Sequence, residues 1–148
     1  MNNGIYTPFF DATCEVFRLL LDLEATQLSG TALEEYSNTG EHLSIQVGFV
    51  GDCSGEIIYR FPKNASLEMV KIMSGMEIDE IDEFVTSAMS EIANIISGNA
   101  VTGLTNQKLI CDITTPQVLS NTWQPDGACV NTNVKTDVGD VELFIRLA

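Results

Sequence analysis

Basic residues are scarce. Only 7 Lys and Arg stand against 21 Asp and Glu in 148 residues, giving a formal net charge of −14. A surface of that sign repels phosphate backbones and anionic lipid, which argues against nucleic acid and membrane surfaces as partners. Histidine is nearly absent. The one copy, His42, removes most imidazole chemistry and reads as a surface or edge residue at the head of a strand. Cysteine is thin and scattered. Cys14, Cys53, Cys111 and Cys129 stand 39, 58 and 18 residues apart with no C-x-x-C pair, so there is no zinc-ribbon or thioredoxin signal. Apolar runs last only a few residues, far short of a membrane span. The opening MNNGIYTPFF has no basic stretch and no long apolar stretch, and reads as no signal peptide. The expectation is a cytoplasmic protein with reduced thiols, mostly small hydrophobes of the core. No G-x-S-x-G elbow and no phosphate-binding glycine loop occurs.

What is present is a folded chain. At 45% hydrophobic and 19% charged residues the composition is globular, and the length predicts one domain over 1–148 with a core that needs no staples. Residues 7–24 predict a helix with Thr7 as N-cap and Pro8 at its first position. Phe9, Phe10, Thr13, Val16, Phe17, Leu20, Leu21 and Leu23 recur at three- and four-residue spacing and form its apolar face. Residues 27–40, polar and containing glycine, read as a loop with room for a short strand. From His42 the period switches to two: Leu43, Ile45, Val47 and Phe49 alternate with polar or small residues. A Gly51–Gly55 turn and the run Ile57, Ile58, Tyr59, Phe61 complete a hairpin that Pro62 ends. Asn64 reads as the N-cap of a short helix that Gly75 stops.

The longest periodic stretch runs from residue 79 to about 105 without proline. At 100° per residue, Ile78, Ile81, Val85, Ala88, Met89, Ile92, Ile96 and Ala100 share one side. Glu80, Glu83, Ser87, Ser90, Glu91, Asn94, Ser97 and Gly98 share the other, and Asn99 projects toward the apolar side. Acidic residues at the start (Asp79, Glu80, Asp82, Glu83) fit a helix dipole better than a metal site. Two more strands follow, residues 128–136 and 141–147, around a turn at Asp137–Asp140. Trp123 reads as a packing anchor in a polar loop. The class is α+β: an antiparallel sheet of two hairpin-like strand pairs packed with a long amphipathic helix and shorter helices.

The long helix carries the chemistry. Ser87, Glu91, Asn94 and Gly98 follow i, i+4, i+7, i+11 and form one stripe away from the apolar face. Glu91 and Asn94 emerge within one turn, a carboxylate beside a carboxamide. Such a pair can dock a cation and orient a water; it supplies no good nucleophile. Spacing alone is weak: with 12 Glu and 10 Asn, chance supplies about one Glu-x-x-Asn, and a second match, Glu35 to Asn38, falls in the loop.

The wider pattern is more specific. Ser87-Ala-Met-Ser-Glu91-Ile-Ala-Asn94-Ile-Ile-Ser-Gly98 closely resembles the signature helix of the CheC/CheX/FliY family, phosphatases of phosphorylated chemotaxis response regulators. Gly55-Glu-Ile-Ile-Tyr59-Arg-Phe61 resembles the family's second central strand. Met73-Ser-Gly-Met76 with Ile81-Asp82-Glu83 resembles its approach to the long helix, and Asp112-Ile-Thr-Thr-Pro116-Gln-Val118 the segment after it. The first helix has Glu15-Val-Phe-Arg18, with no asparagine at the matching offset. One site on one long helix looks CheX-like. The resemblance implies a homodimer and a protein substrate, a CheY-like receiver domain carrying an aspartyl phosphate and Mg²⁺. It implies catalytic roles for Glu91 and Asn94, contact roles for Ser87, Ser90 and Gly98, and no metal or cofactor held by this chain. The competing expectation is a non-catalytic receiver-binding or scaffold domain of the same fold.

Overall fold

The computed structural model of the chain describes residues 3–28, 41–120, 122–125 and 129–148. Among the described residues three α-helices, α1 (Asn3–Leu21), α2 (Lys63–Ser74) and α3 (Glu83–Leu104), accompany seven strands. These are β1 (Thr26–Leu28), β2 (His42–Gly51), β3 (Gly55–Pro62), β4 (Cys111–Ile113), β5 (Gln117–Val118), β6 (Val130–Thr136) and β7 (Gly139–Leu147). The strands make one antiparallel sheet in the order β1-β6-β7-β3-β2-β4, with β5 also on β2. The expected α+β class stands, and both expected hairpins are present. The β2–β3 pair runs from His42↔Pro62 to Phe49↔Gly55, and β6–β7 turns over Asp137 and Val138. The two hairpins join through β3–β7, from Gly55↔Leu147 to Arg60↔Glu142.

Alternation explains the layers. Leu43, Ile45, Val47 and Phe49, then Ile57, Tyr59 and Phe61, and Val141, Leu143 and Ile145 are buried together with the inner faces of α1 and α3. The opposite face of the sheet is closed more locally. Ile58 and Phe144 are buried neighbours there, and Trp123 meets the Phe144 ring edge-on at 5.4 Å. Trp123 is thus the packing anchor expected. Buried Arg60 on β3 and half-buried Glu142 on β7 stand 3.7 Å apart, with His42 Nδ1 3.3 Å from the guanidinium.

Several boundaries differ from expectation. The first helix starts a turn before Thr7, and Pro8 lies inside it. Proline has no N–H for the carbonyl four residues back. That carbonyl belongs to Gly4, and it accepts from the side-chain amide of Gln107 instead. Leu20 is exposed although the wheel put it inside. The helix ends where Asp22 turns left-handed (φ 54) and the Leu23 N–H meets the Phe17 carbonyl. Asn64 is no cap: α2 begins at Lys63 behind Pro62, without a side-chain cap. Gly75 does stop it, at φ 75, with its N–H on the Lys71 carbonyl. The long helix begins at Glu83, later than expected, because Asp82 caps it by accepting from the Val85 N–H at 3.0 Å. Ile78 and Ile81 precede the helix and pack against the core from there. Residues 27 and 28 of the expected 27–40 loop belong to β1 (Thr26–Leu28), paired with β6; residues 29–40 and 126–128 lie outside the described residues.

Candidate functional site

The rotation of α3 decides which side chains it presents. Val85, Met89, Ile92, Ala93, Ile96, Ala100 and Leu104 are buried, and so is Ser97. The sequence pattern put Ser97 on the polar face. Its hydroxyl instead meets the fully buried Tyr59 hydroxyl of β3 at 2.8 Å, a tie between helix and sheet. Burial pushes the Tyr59 phenol far above its usual range, so it stays a neutral hydrogen-bonding group. With Ser97 pointing at the sheet, Asn94 and Glu91 lie about 60° and about 120° around the helix from it. Asn94 is therefore half-buried at the margin and Glu91 exposed. Asn99, expected toward the apolar side, is exposed. It faces a different hollow between α1 and α3, lined also by Asp11, Glu15 and Gln107.

An open groove of ≈ 650 Å³ runs along this flank of α3. Glu83, Thr86, Ser87, Ser90, Glu91 and Asn94 form one wall; Ile113, Thr114, Thr115, Pro116 and Val118 form the other. Four of the five expected site residues, Ser87, Ser90, Glu91 and Asn94, thus share one cleft. Gly98 lies a turn beyond and does not line it. A Cβ added at Gly98 would make only an ordinary contact, 3.9 Å from Ile113, so packing within this chain does not demand glycine there. Among the described residues no hydrogen bond or ion pair engages the Glu91 or Asn94 side chain. Both are free to meet something else.

The second wall was missed as a site. It exists because β4 and β5 join β2 out of step. Phe49 faces Ile113 and Gln46 faces Gln117, so three steps on β2 match four on the other side. One residue is extra, a bulge at 114–116, where Pro116 costs no ladder bond. Thr114 is pinned at its base: its N–H donates to the Gly48 carbonyl at 2.8 Å and its hydroxyl accepts from the Gly48 N–H at 3.0 Å. A side chain at position 48 would strike that hydroxyl, at 2.9 Å from its Cβ. Its trace in the sequence is the run Thr114-Thr115-Pro116, which interrupts the strand pattern.

The charged groups lining the groove are Glu83 and Glu91. Among the described residues no three His, Cys, Asp or Glu are gathered so as to hold a metal ion. Alone, the groove offers two carboxylates, a carboxamide and several hydroxyls, which suits hydrogen bonding and water positioning and lacks an activated nucleophile.

An α+β domain of this topology, with a carboxylate and a carboxamide one turn apart on an open helix flank, is of the CheC/CheX type. Solved structures share the fold. The chemotaxis protein CheX of Vibrio vulnificus superposes with a TM-score of 0.84 at 22% identity, covering 100% of this chain and 99% of that one. The CheX of a CheX–CheY–BeF3–Mg²⁺ complex from Borrelia burgdorferi gives 0.74 at 25% identity, covering 96% of each chain. The family model described as chemotaxis phosphatase CheX matches residues 43–125, and the chain belongs to that family. The CheY-P phosphatase CheX of Thermotoga maritima is 35% identical over 75 residues, 50% of this chain and 48% of the relative. The match thus spans about half the length of that curated relative. No helix among the described residues is long and apolar enough to cross a membrane.

Proposed function

We propose that this chain is a phosphatase that accelerates hydrolysis of the aspartyl phosphate on a CheY-like receiver domain. The observation that carries the proposal is the pair Glu91 and Asn94, together in the groove and uncommitted to any described residue. Family membership supports it. So do the relative named a CheY-P phosphatase and the complex in which a CheX is held with CheY, BeF3 and Mg²⁺. Beryllium trifluoride has the shape and charge of a phosphoryl group.

The chemistry asks little of this chain. An acyl phosphate is already activated, and the receiver brings its own Mg²⁺ and a lysine. Water attacks phosphorus in line, the bond from phosphorus to the aspartyl oxygen breaks, and phosphate and a free carboxylate result. Catalysis is positioning and charge placement. Asn94 enters the receiver site and its carboxamide orients the attacking water. Glu91 pairs with the receiver lysine and anchors the helix. Ser87 and Ser90 line the contact, and Gly98 allows the partner backbone close to the next turn. The chain holds no cofactor of its own, acts as one domain over 1–148, and works in the cytoplasm as a homodimer.

Net charge does not draw the substrate in. A receiver site is acidic too, so docking rests on local pairing at Glu91 and on the Mg²⁺ that neutralises the partner's carboxylates. The test is phosphate release from purified phosphorylated receivers. The proposal expects many equivalents hydrolysed per chain, and loss of that turnover in Asn94→Ala with binding largely kept. Equal rates in wild type and Asn94→Ala would sink the role of Asn94. Binding that leaves the phosphoryl group intact would favour a scaffold.

A further inference from the structure

Behind the second wall of the groove, the turn between β2 and β3 is pressed against the start of β4. Gly51 sits at φ 131, and a Cβ there would lie 2.4 Å from the Ile110 carbonyl oxygen. The backbones are stitched on both sides: the Asp52 N–H donates to the Ile110 carbonyl at 2.9 Å, and the Ile110 N–H to the Asp52 carboxylate at 2.8 Å. The stitching brings two thiols together. The Cys53 N–H points at Cys111 Sγ at 3.4 Å, and the two sulfurs stand 3.0 Å apart. Non-bonded heavy atoms rest at about 3.5–4.0 Å, and sulfur is larger than carbon. These sulfurs are therefore closer than two separate thiols prefer, and a covalent bond between them relieves the crowding.

We propose that Cys53 and Cys111 are a disulfide site, oxidised by thiol–disulfide exchange with a small-molecule disulfide. One of the two, as thiolate, attacks a sulfur of the small disulfide and expels one small thiol. The other attacks the resulting mixed disulfide, forms the Cys53–Cys111 bond and expels the second small thiol. Two protein thiols are oxidised and one small disulfide is reduced to two thiols, so atoms and electrons balance. Burial, the contact with Cys111 and the charge of Asp52 push the Cys53 thiol up to about 12, so thiolate is scarce at neutral pH and exchange quickens as pH rises. The bond closes a loop of sequence separation 58 that carries α2 and α3. Neither sulfur lines the groove, but Cys111 leads directly into Ile113 and Thr114, which do. The four-thiol expectation then describes the reduced form, and the bond fastens the groove's second wall to the hairpin turn. The site does not depend on the phosphatase reading.

The test is exposure of the fully reduced full chain to oxidised glutathione, followed by quenching, intact mass and non-reducing peptide mapping. The expected product is lighter by two hydrogen atoms, retains two of its four thiols, and yields one linked peptide pair containing Cys53 and Cys111. Cys14→Ser gives the same link and Cys53→Ser does not. Four persisting thiols, a stable glutathione adduct at either cysteine, or a link through Cys14 or Cys129 would each overturn the assignment. The wild-type measurement decides the matter even if a variant folds poorly.

Discussion

The hydrogen bond between Tyr59 and Ser97 makes a sharp thermodynamic prediction, because both groups are fully buried and 2.8 Å apart. Ser97→Ala strands the phenol, and an unsatisfied buried hydroxyl costs about 1–3 kcal/mol. Alanine's better helix propensity returns about 0.5 kcal/mol, leaving a net loss of about 0.5–2.5 kcal/mol. Tyr59→Phe strands the serine instead. A helical serine can turn its hydroxyl to the carbonyl four residues back, here that of Ala93. That fallback limits the loss to about 1 kcal/mol or less. With both hydroxyls gone nothing is orphaned, so the double variant costs no more than Ser97→Ala alone. The cycle should therefore show a coupling of about 1 kcal/mol. Urea unfolding of the four proteins measures it. Costs that add to within about 0.3 kcal/mol, or a Tyr59→Phe variant less stable than Ser97→Ala, would refute the assignment of this bond as the tie that orients α3.

Other expectations follow from the same geometry. Asn94→Ala should lower receiver dephosphorylation by on the order of 10²-fold or more while binding persists, whereas Glu91→Ala should weaken both; steady-state rates and titration of binding separate them. Gly51→Ala should cost about 2–4 kcal/mol by denaturant melt, since it adds a Cβ at positive φ against a carbonyl oxygen. Glu142 is pushed up to about 7 by burial, against the pull of Arg60 and with Asp140 adding to the rise. The folded state therefore binds this proton more tightly than the unfolded chain. Its contribution to stability is full below the ordinary value of 4.5 and is lost as pH rises toward 7. Across that window the stability of wild type relative to Glu142→Gln should fall with pH, by at most about 1.4 kcal/mol per unit; a flat difference would contradict it.

Strand identity was legible because period two is a local property. Leu43 to Phe49 and Val141 to Leu147 announce their buried faces without help from the rest of the chain. The long helix was legible for the same reason, and so was the stripe of Ser87, Glu91 and Asn94. What escaped depended on distant partners. Ser97 looks polar in a helical wheel, and only Tyr59, brought by β3, makes its burial tolerable. Pro8 looks like a helix start until Gln107 satisfies the carbonyl it leaves behind. Asn64 looks like a cap, but Pro62 ends β3 with φ −59 and ψ 149 and lets α2 begin at once. The groove's second wall arises from a one-residue mismatch in strand register; the run Thr114-Thr115-Pro116 marks a break in the segment but not the strand it is out of step with.

The strand order also sets a schedule. β3 lies between β2, its neighbour in sequence, and β7, which joins it through pairs such as Glu56 with Arg146, 90 residues apart. A nascent chain can close the β2–β3 hairpin early, yet the other edge of β3, with Ile57 and Ile58, stays open until β7 exists. Contacts of that span are slow to form, and an open apolar edge invites pairing with other chains. Such a fold should tolerate changes in its surface turns better than any shortening that removes β7. A chain cut before Gly139 would present the middle of its sheet as an edge, and its fate would be aggregation.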